Sequence, residues 1–401
     1  MTYVTSRNTD RPGDDPIFAL NREATQRRAA GEKVINATVG ALLEDDGKLA
    51  VLPSVIEVIR GIDPLRGAAY APIAGAPDFL KAAIDDLLGG TSLAAQAVAV
   101  SSPGGTGALR HAVSTFLDRG QHLVTPSFHW GPYDTICEEH ERGLSTFEMF
   151  GADGQFNADA LASQLADTAA RQGRLLVFLN DPCNNPTGYS MSDAEWTETA
   201  RVLEHAASRV PLVVLLDVAY LAYARDSKSF LRFLAPLAER ALVLFAWSAS
   251  KTFTQYGLRV GALIACTADA AQRTQVHRAL AFACRGTWST CSAAGQAAIA
   301  KCITEPELRA RVDGERARLT GLLDARVRAF NAAAKGTTLR YPRYDGGFFV
   351  TVFAGNAADA HRKLKARGIF TVPQDGALRV ALCGVAQCDI VTLTRALAES
   401  V

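Results

Sequence analysis

Lysine is rarely buried without a reason, and one lysine in this chain follows closely on a stretch that reads as a buried strand. The run Ala241 to Ala246 reads as that strand, and it ends in Trp247-Ser248-Ala249-Ser250-Lys251-Thr252-Phe253. Open α/β sheets bind their ligands at the carboxyl ends of strands. A lysine in a partly dry site loses its charge readily, and the neutral amine can form a Schiff base with a carbonyl. Ser248, Ser250 and, a few residues on, Arg259 offer hydroxyls and a guanidinium to an anion beside it. Alone, the stretch is equally a strand entering a solvated Ser/Lys loop. Ser248-x-x-Lys251 also has the spacing of an acylating serine–lysine pair, but the Ser-Asp-Asn and Lys-Thr-Gly companions of that chemistry are absent.

Three further segments follow predicted strands. Ser101-Ser102-Pro103-Gly104-Gly105-Thr106-Gly107-Ala108 leads from a strand, Ala95 to Ser101, to a helix, Gly107 to Arg119. Its glycines let backbone amides approach an anion, and a helix N-terminus favours negative charge. It is not a P-loop, since no Gly-Lys-Ser/Thr follows, and it lacks the last glycine of the dinucleotide fingerprint. A plain strand-to-helix turn reads the same way. Asn180-Asp181-Pro182-Cys183-Asn184-Asn185-Pro186-Thr187-Gly188 follows the strand Leu175 to Leu179. Its two X-Pro steps force an extended, turning backbone. Either Asn185 is aimed into a site, where its amide donates to a phenolic oxygen, or the asparagines bond only their own backbone. Leu212 to Tyr220 puts Asp217 at the end of a buried strand. A buried carboxylate needs a partner. A protonated ring nitrogen is one, with Tyr220 bonding the ring's phenolate; a helix-capping aspartate is the alternative.

The set decides what no segment decides alone. A phosphate cradle, an asparagine, an Asp–Tyr pair and a Lys–Arg pair occur in this order, each after a predicted strand, and together they read as a covalent pyridoxal phosphate anchor at Lys251. These motifs resemble those of the aspartate/aromatic aminotransferases, class I/II enzymes of pyridoxal phosphate fold type I. The residues that carry the likeness are Gly104 to Ala108, Cys183 to Gly188, Asp217-x-Ala219-Tyr220, and Ser248-x-Ser250-Lys251 with Arg259-Val260-Gly261. Tyr70 followed by Gly75-x-Pro77 and Phe79, and Arg379-Val380, match as well.

The resemblance implies roles. Lys251 is the Schiff-base lysine and proton carrier, and Asp217 pairs the pyridinium. Tyr220 and Asn185 hold the phenolic oxygen. Gly104, Gly105, Thr106, Ser248, Ser250 and Arg259 form the phosphate site, joined by Tyr70 from the other subunit of a homodimer with shared sites. Arg379 clamps the substrate α-carboxylate, and Gly40 sits on a mobile segment over the substrate. Two departures matter. The family's cofactor-stacking aromatic follows a Pro-Ser step; here Pro126-Ser127 is followed by Phe128-His129-Trp130, so Trp130 takes that place with Phe128 as the fallback. Counting back from Gly295 places Arg285 where dicarboxylate-specific members bind a distal carboxylate from the partner subunit, but the family's Asn-Pro-Pro segment reads Thr290-Cys291-Ser292. The implied activity is amine transfer from aspartate, glutamate or an aromatic amino acid to a 2-oxo acid such as 2-oxoglutarate. A β-lyase or decarboxylase on the same scaffold shares these residues, and a regulator that has lost turnover is a further alternative.

The elements that must position these groups alternate strand and helix, which argues for a largely parallel sheet with helices on both faces. Near the C-terminus, Gly347 to Val352 and Leu378 to Leu382 read as antiparallel strands of a smaller α+β domain. The expected organisation is an arm and part of the small domain over 1–49, a large cofactor domain over 50–310 and a small domain over 311–401. A chain of 401 residues with 48% hydrophobic and 21% charged residues fits a folded, two-domain protein. Net charge is +1, and no basic run points to nucleic acid or an acidic membrane. Asp217 interrupts the longest apolar stretch, Leu212 to Ala224, so no membrane span is expected. The polar start of the chain and eight scattered cysteines suggest a cytoplasmic protein with reduced thiols, and no His/Cys spacing suggests a metal.

Overall fold

The apolar runs form a seven-stranded sheet in the order Ala97–Ser102, Gly261–Cys266, Leu242–Ser248, Leu212–Asp217, Leu175–Leu179, His122–Pro126, Gly143–Phe147. Gly261–Cys266 is antiparallel to both neighbours, and the remaining pairs are parallel. Leu175–Leu179 and Gly261–Cys266 are buried at every position, as strands covered on both faces must be. On one face Leu109, Val113, Leu280 and Cys284, from the helices Gly104–Phe116 and Ala270–Arg285, share a core with Leu215, Leu244 and Leu263.

The computed structural model describes residues 3–401 and divides into two compact units. One, residues 50–324 and 342–348, holds the seven-stranded sheet. The other comprises the chain up to residue 49 with residues 325–341 and 349–401. It has an antiparallel sheet in the order Val372–Gln374, Ala377–Ala381, Phe349–Phe353, and a parallel pair of Ile35–Asn36 with Ile369–Phe370. Its first helix, Pro16–Ala29, starts as its residues dictate: the Asp15 carboxylate accepts from the amides of Ile17 and Phe18, with Pro16 in the first turn.

Several elements depart from the sequence reading. The helix after Ala97–Ser102 begins at Gly104 rather than Gly107, so the glycine run is its first turn and not a loop before it. The strands Gly143–Phe147 and Gly261–Cys266 and the helices Ala158–Gln172 and Ala293–Thr304 have no counterpart in that reading. No described helix is long and apolar enough to cross a membrane. Among the described residues no cluster of three or more His, Cys, Asp and Glu is placed to hold a metal ion.

Candidate active site

Three strand ends and one helix start meet around a cavity of about 230 Å³. The strand Leu242–Ser248 ends at Ser248, whose Oγ accepts from the Ser250 amide at 3.1 Å and lies 3.0 Å from the Ser250 hydroxyl. That cap starts a single helical turn, Ala249–Thr252, which carries Lys251. The Tyr223 hydroxyl donates to the Lys251 carbonyl at 3.2 Å and steadies the turn. Lys251 Nζ lies 5.8 Å and 5.4 Å from the ring centres of Tyr220 and Tyr256.

The neighbouring strand ends at Asp217, which is buried. Its Oδ2 accepts from the Tyr133 hydroxyl at 2.8 Å and its Oδ1 from the Ala219 amide at 3.2 Å. Burial raises its pKa above the ordinary carboxylate value, against the Tyr133 hydroxyl, the Ala219 amide and the charge of Lys251. Asn180, at the end of the next strand, ties two pieces together. Its Nδ2 donates to the Asp217 carbonyl at 2.6 Å, and its Oδ1 accepts from the Asn185 amide at 2.6 Å. Asn185 is thereby aimed at Tyr220, with its Nδ2 3.4 Å from the Tyr220 hydroxyl. Asn184 instead bonds its own loop, accepting from the Thr187 amide and hydroxyl.

The fourth wall is built for an anion. Gly105 and Thr106 line the cavity from the first turn of Gly104–Phe116, where unpaired amides and the helix dipole favour negative charge. Ser248, Ser250 and Arg259 face them. Arg259 Nη1 donates to Ser250 Oγ at 3.2 Å and to the Tyr256 carbonyl at 2.9 Å, and Nη2 to the Pro103 carbonyl at 3.0 Å. Partial burial lowers its pKa from the ordinary guanidinium value. Among the described residues no carboxylate pairs with it, so a cation and a helix start share a wall that holds no anion of the protein's own.

Of the residues singled out in the sequence, Gly105, Thr106, Trp130, Asn185, Asp217, Tyr220, Ser248, Ser250, Lys251 and Arg259 line this one cavity. Trp130 lines it and Phe128 does not; Phe128 packs on Phe150, with ring centres 6.1 Å apart. Gly104 lies outside the lining and acts on Arg259: a Cβ there would meet Arg259 Nη2 at 2.4 Å. Tyr70 and Arg285 are exposed and off this cavity. Gly40 and Arg379 belong to the other unit. There Arg379 Nη2 donates to the Thr38 carbonyl at 2.6 Å and its guanidinium lies 4.7 Å from the Phe349 ring centre, while a Cβ at Gly40 would meet Phe349 Cζ at 2.4 Å. Asn180, Tyr133 and Leu109 are the additions that sequence reasoning missed, while Ala219 entered it only as a motif position. Only Asn180 left a signal, since it opens the loop that carries Asn185.

A family model, aminotransferase class I and II, matches residues 32–397. The chain belongs to that family. An aromatic-amino-acid aminotransferase of Pseudomonas aeruginosa is 31% identical to this aminotransferase over 327 residues, covering 78% of each chain. The crystal structure of an aminotransferase from Anaerococcus prevotii superposes with a TM-score of 0.95 at 34% identity, over 100% of this chain and 99% of the other. An aromatic-amino-acid aminotransferase from Burkholderia pseudomallei, covalently bound to pyridoxal phosphate, shares the fold with a TM-score of 0.82 at 23% identity, covering 100% of both chains. The cavity fits that cofactor: an anion cradle whose cation pairs with no described carboxylate, a lysine amine, an amide and a phenol for a ring oxygen, and a buried carboxylate for a ring nitrogen.

Proposed function

We propose that this aminotransferase moves the amine of an aromatic or dicarboxylic L-amino acid to a 2-oxo acid such as 2-oxoglutarate. Pyridoxal phosphate is anchored on Lys251, and two copies of the chain share each site. The observation that carries the reading is the single cavity uniting Lys251, Asp217, Asn185, Tyr220 and the cradle that ends in Arg259. When bound, pyridoxal phosphate supplies an electron sink conjugated to the substrate amine. Lys251 would hold the cofactor, and its Nζ, once free, would carry the proton of the substrate Cα, the role of a lysine that loses charge readily. Asp217 keeps the ring nitrogen protonated, and Asn185 and Tyr220 donate to the phenolic oxygen. Gly105, Thr106, Ser248, Ser250 and Arg259 hold the phosphate, Gly104 leaves Arg259 its room, and Tyr70 of a second copy adds a hydroxyl. Trp130 covers the ring. Arg379 clamps the α-carboxylate by charge-assisted hydrogen bonds, with Gly40 on the segment beside it.

The aromatic side of the substrate range is supported by the Pseudomonas aeruginosa relative. The dicarboxylic side is supported by Arg285, whose Nη1 donates to Ser289 Oγ at 2.7 Å and which pairs with no described carboxylate. The test is to load the protein with pyridoxal phosphate and offer phenylalanine, tyrosine and aspartate, each with 2-oxoglutarate. Glutamate should form mole for mole with the donor's 2-oxo acid. Release of ammonia or carbon dioxide without glutamate would replace this reading with a lyase or a decarboxylase.

A further inference from the structure

The motifs leave out the residue that holds Asp217 from behind. Tyr133 lies in the first turn of the helix Pro132–Glu139 and is buried. A phenol hydroxyl taken out of water without a partner is costly, and phenylalanine would fill the same space. Here the hydroxyl has one partner, Asp217 Oδ2 at 2.8 Å. The ring is fixed independently. It packs edge-on against Trp130, centres 5.9 Å apart at 88°, and against Phe178, 5.3 Å apart at 82°; it stacks on His129 at 6.1 Å and 12°. With Oδ1 accepting from the Ala219 amide, each carboxylate oxygen has one fixed donor, and the plane of the group is set.

The electrostatics agree with the geometry. Burial disfavours the charged form of a carboxyl. At Asp217 it is the dominant influence, and the Tyr133 hydroxyl is the strongest influence against it, ahead of the Ala219 amide and Lys251. A neutral Asp217 cannot keep a ring nitrogen protonated. Tyr133 itself stays a donor, because burial and the facing Asp217 hold its pKa well above that of a free phenol, with a smaller push from Tyr220. The titratable groups facing this carboxylate are therefore Tyr133 from its helix and Lys251 from the turn after Leu242–Ser248, with Tyr220 beyond.

We propose that Tyr133 is a positioning residue of the amine transfer, keeping Asp217 ionised and turned toward the cofactor ring nitrogen. This rests on the reading of Asp217 as that nitrogen's partner. The experiment compares Tyr133→Phe, Asp217→Asn and the double variant, each loaded with pyridoxal phosphate and each checked for folding by its melting temperature. Tyr133→Phe should lower kcat roughly ten- to a hundred-fold, the span of one hydrogen bond to a charged group, with little change in KM. It should lose pyridoxal phosphate faster on dialysis. It should also move the acid limb of the kcat profile to higher pH, because a carboxylate that loses a donor is more easily protonated. In the Asp217→Asn background the same change should cost no further kcat, since the interaction it removes is already gone. Tyr133→Phe with an unmoved acid limb and unchanged cofactor retention would overturn the proposal, whatever its melting temperature. So would an equal loss of kcat in both backgrounds. Wild-type turnover in Asp217→Asn alone would instead overturn the reading of Asp217, and this inference with it.

Discussion

Lys251 is an ordinary amine until its surroundings are counted: a capped turn beneath it, two tyrosine rings near it, and Asp217 one strand away. On the proposed roles Lys251→Ala removes both the anchor and the proton carrier, so the half-reaction with any amino acid should be abolished. Borohydride treatment of the wild type should fix the cofactor to the peptide containing Lys251; label on another lysine would sink the assignment. Most of these side chains were legible because chemistry confines them to a place the sequence marks. Asp217 follows an apolar run directly, and Asn185 and Lys251 lie in the short segments that follow theirs, where a carboxylate, an amide and an amine are out of character. Tyr133 was not legible. It stands 84 residues from Asp217, and a tyrosine at the start of an amphipathic helix looks like any core residue. Gly104 was legible as a glycine but not in its role. The sequence suggests backbone approach to an anion, whereas the fold spends the missing Cβ on Arg259.

The elements turn those positions into a site, and two of them make predictions of their own. Gly104 opens its helix with φ at +72°, and a Cβ there would meet Arg259 Nη2 at 2.4 Å. Gly104→Ala should therefore cost roughly 1–3 kcal/mol of local strain and push Arg259 from the cradle. Pyridoxal phosphate affinity should fall by about tenfold or more, seen as a raised dissociation constant with circular dichroism unchanged. The helix Asp193–Ala207 starts in a capping box of Ser192 and Glu195. Burial works against the Glu195 charge, but the Tyr189 hydroxyl, Arg343 and the amides of Phe156 and Ser192 bring its pKa down to about 2. Its folded value lies below the unfolded value of about 4.3, so its charge stabilises the fold above that pH and ceases to as pH falls toward 2. Glu195→Gln should lower the urea midpoint at pH 7 and flatten its decline between neutral pH and pH 3. An equally steep decline in the variant would remove Glu195 from acid sensitivity. The strands the sequence reading lacks are explained by their places. Gly143–Phe147 is an edge strand, mostly half-buried, so its residues need not be continuously apolar. Gly261–Cys266 is wholly apolar, but it begins at the last residue of the Arg259-Val260-Gly261 motif, which masks its start. The helix Ala293–Thr304 is rich in alanine and other small residues, so it carries little amphipathic contrast.

At the scale of the whole molecule, the proposed dimer and the substrate class can be tested together. The unit that holds the cavity exposes Leu65, Tyr70, Ile73 and Phe282, at 82%, 93%, 40% and 82% of their full accessibility. In the proposed dimer a partner would cover side chains of this kind, and a second copy would bring Tyr70 and Arg285 to a site neither reaches in its own chain. Every amino-acid substrate presents an α-carboxylate, so Arg379→Ala should weaken all of them alike. Only dicarboxylates present a second carboxylate. Arg285, at the end of the helix Ala270–Arg285, has a serine hydroxyl as its hydrogen-bond partner and no described acid to compete for it. Arg285→Ala should then impair aspartate and glutamate selectively and leave phenylalanine nearly untouched, since a ring needs no ion partner. Losing a buried charge-assisted pair costs on the order of 2–5 kcal/mol, a change of tens- to thousands-fold in specificity. The quantity to measure is the ratio of kcat/KM for aspartate to that for phenylalanine, because a general loss of activity cancels in it. Mixing Arg285→Ala with Lys251→Ala completes the argument. In a shared site, half-defective dimers built from the two variants contain one cavity with both Lys251 and Arg285, and aspartate activity should partly return. No recovery, with exchange of subunits demonstrated, would place Arg285 outside the site and leave an aminotransferase for aromatic or neutral amino acids.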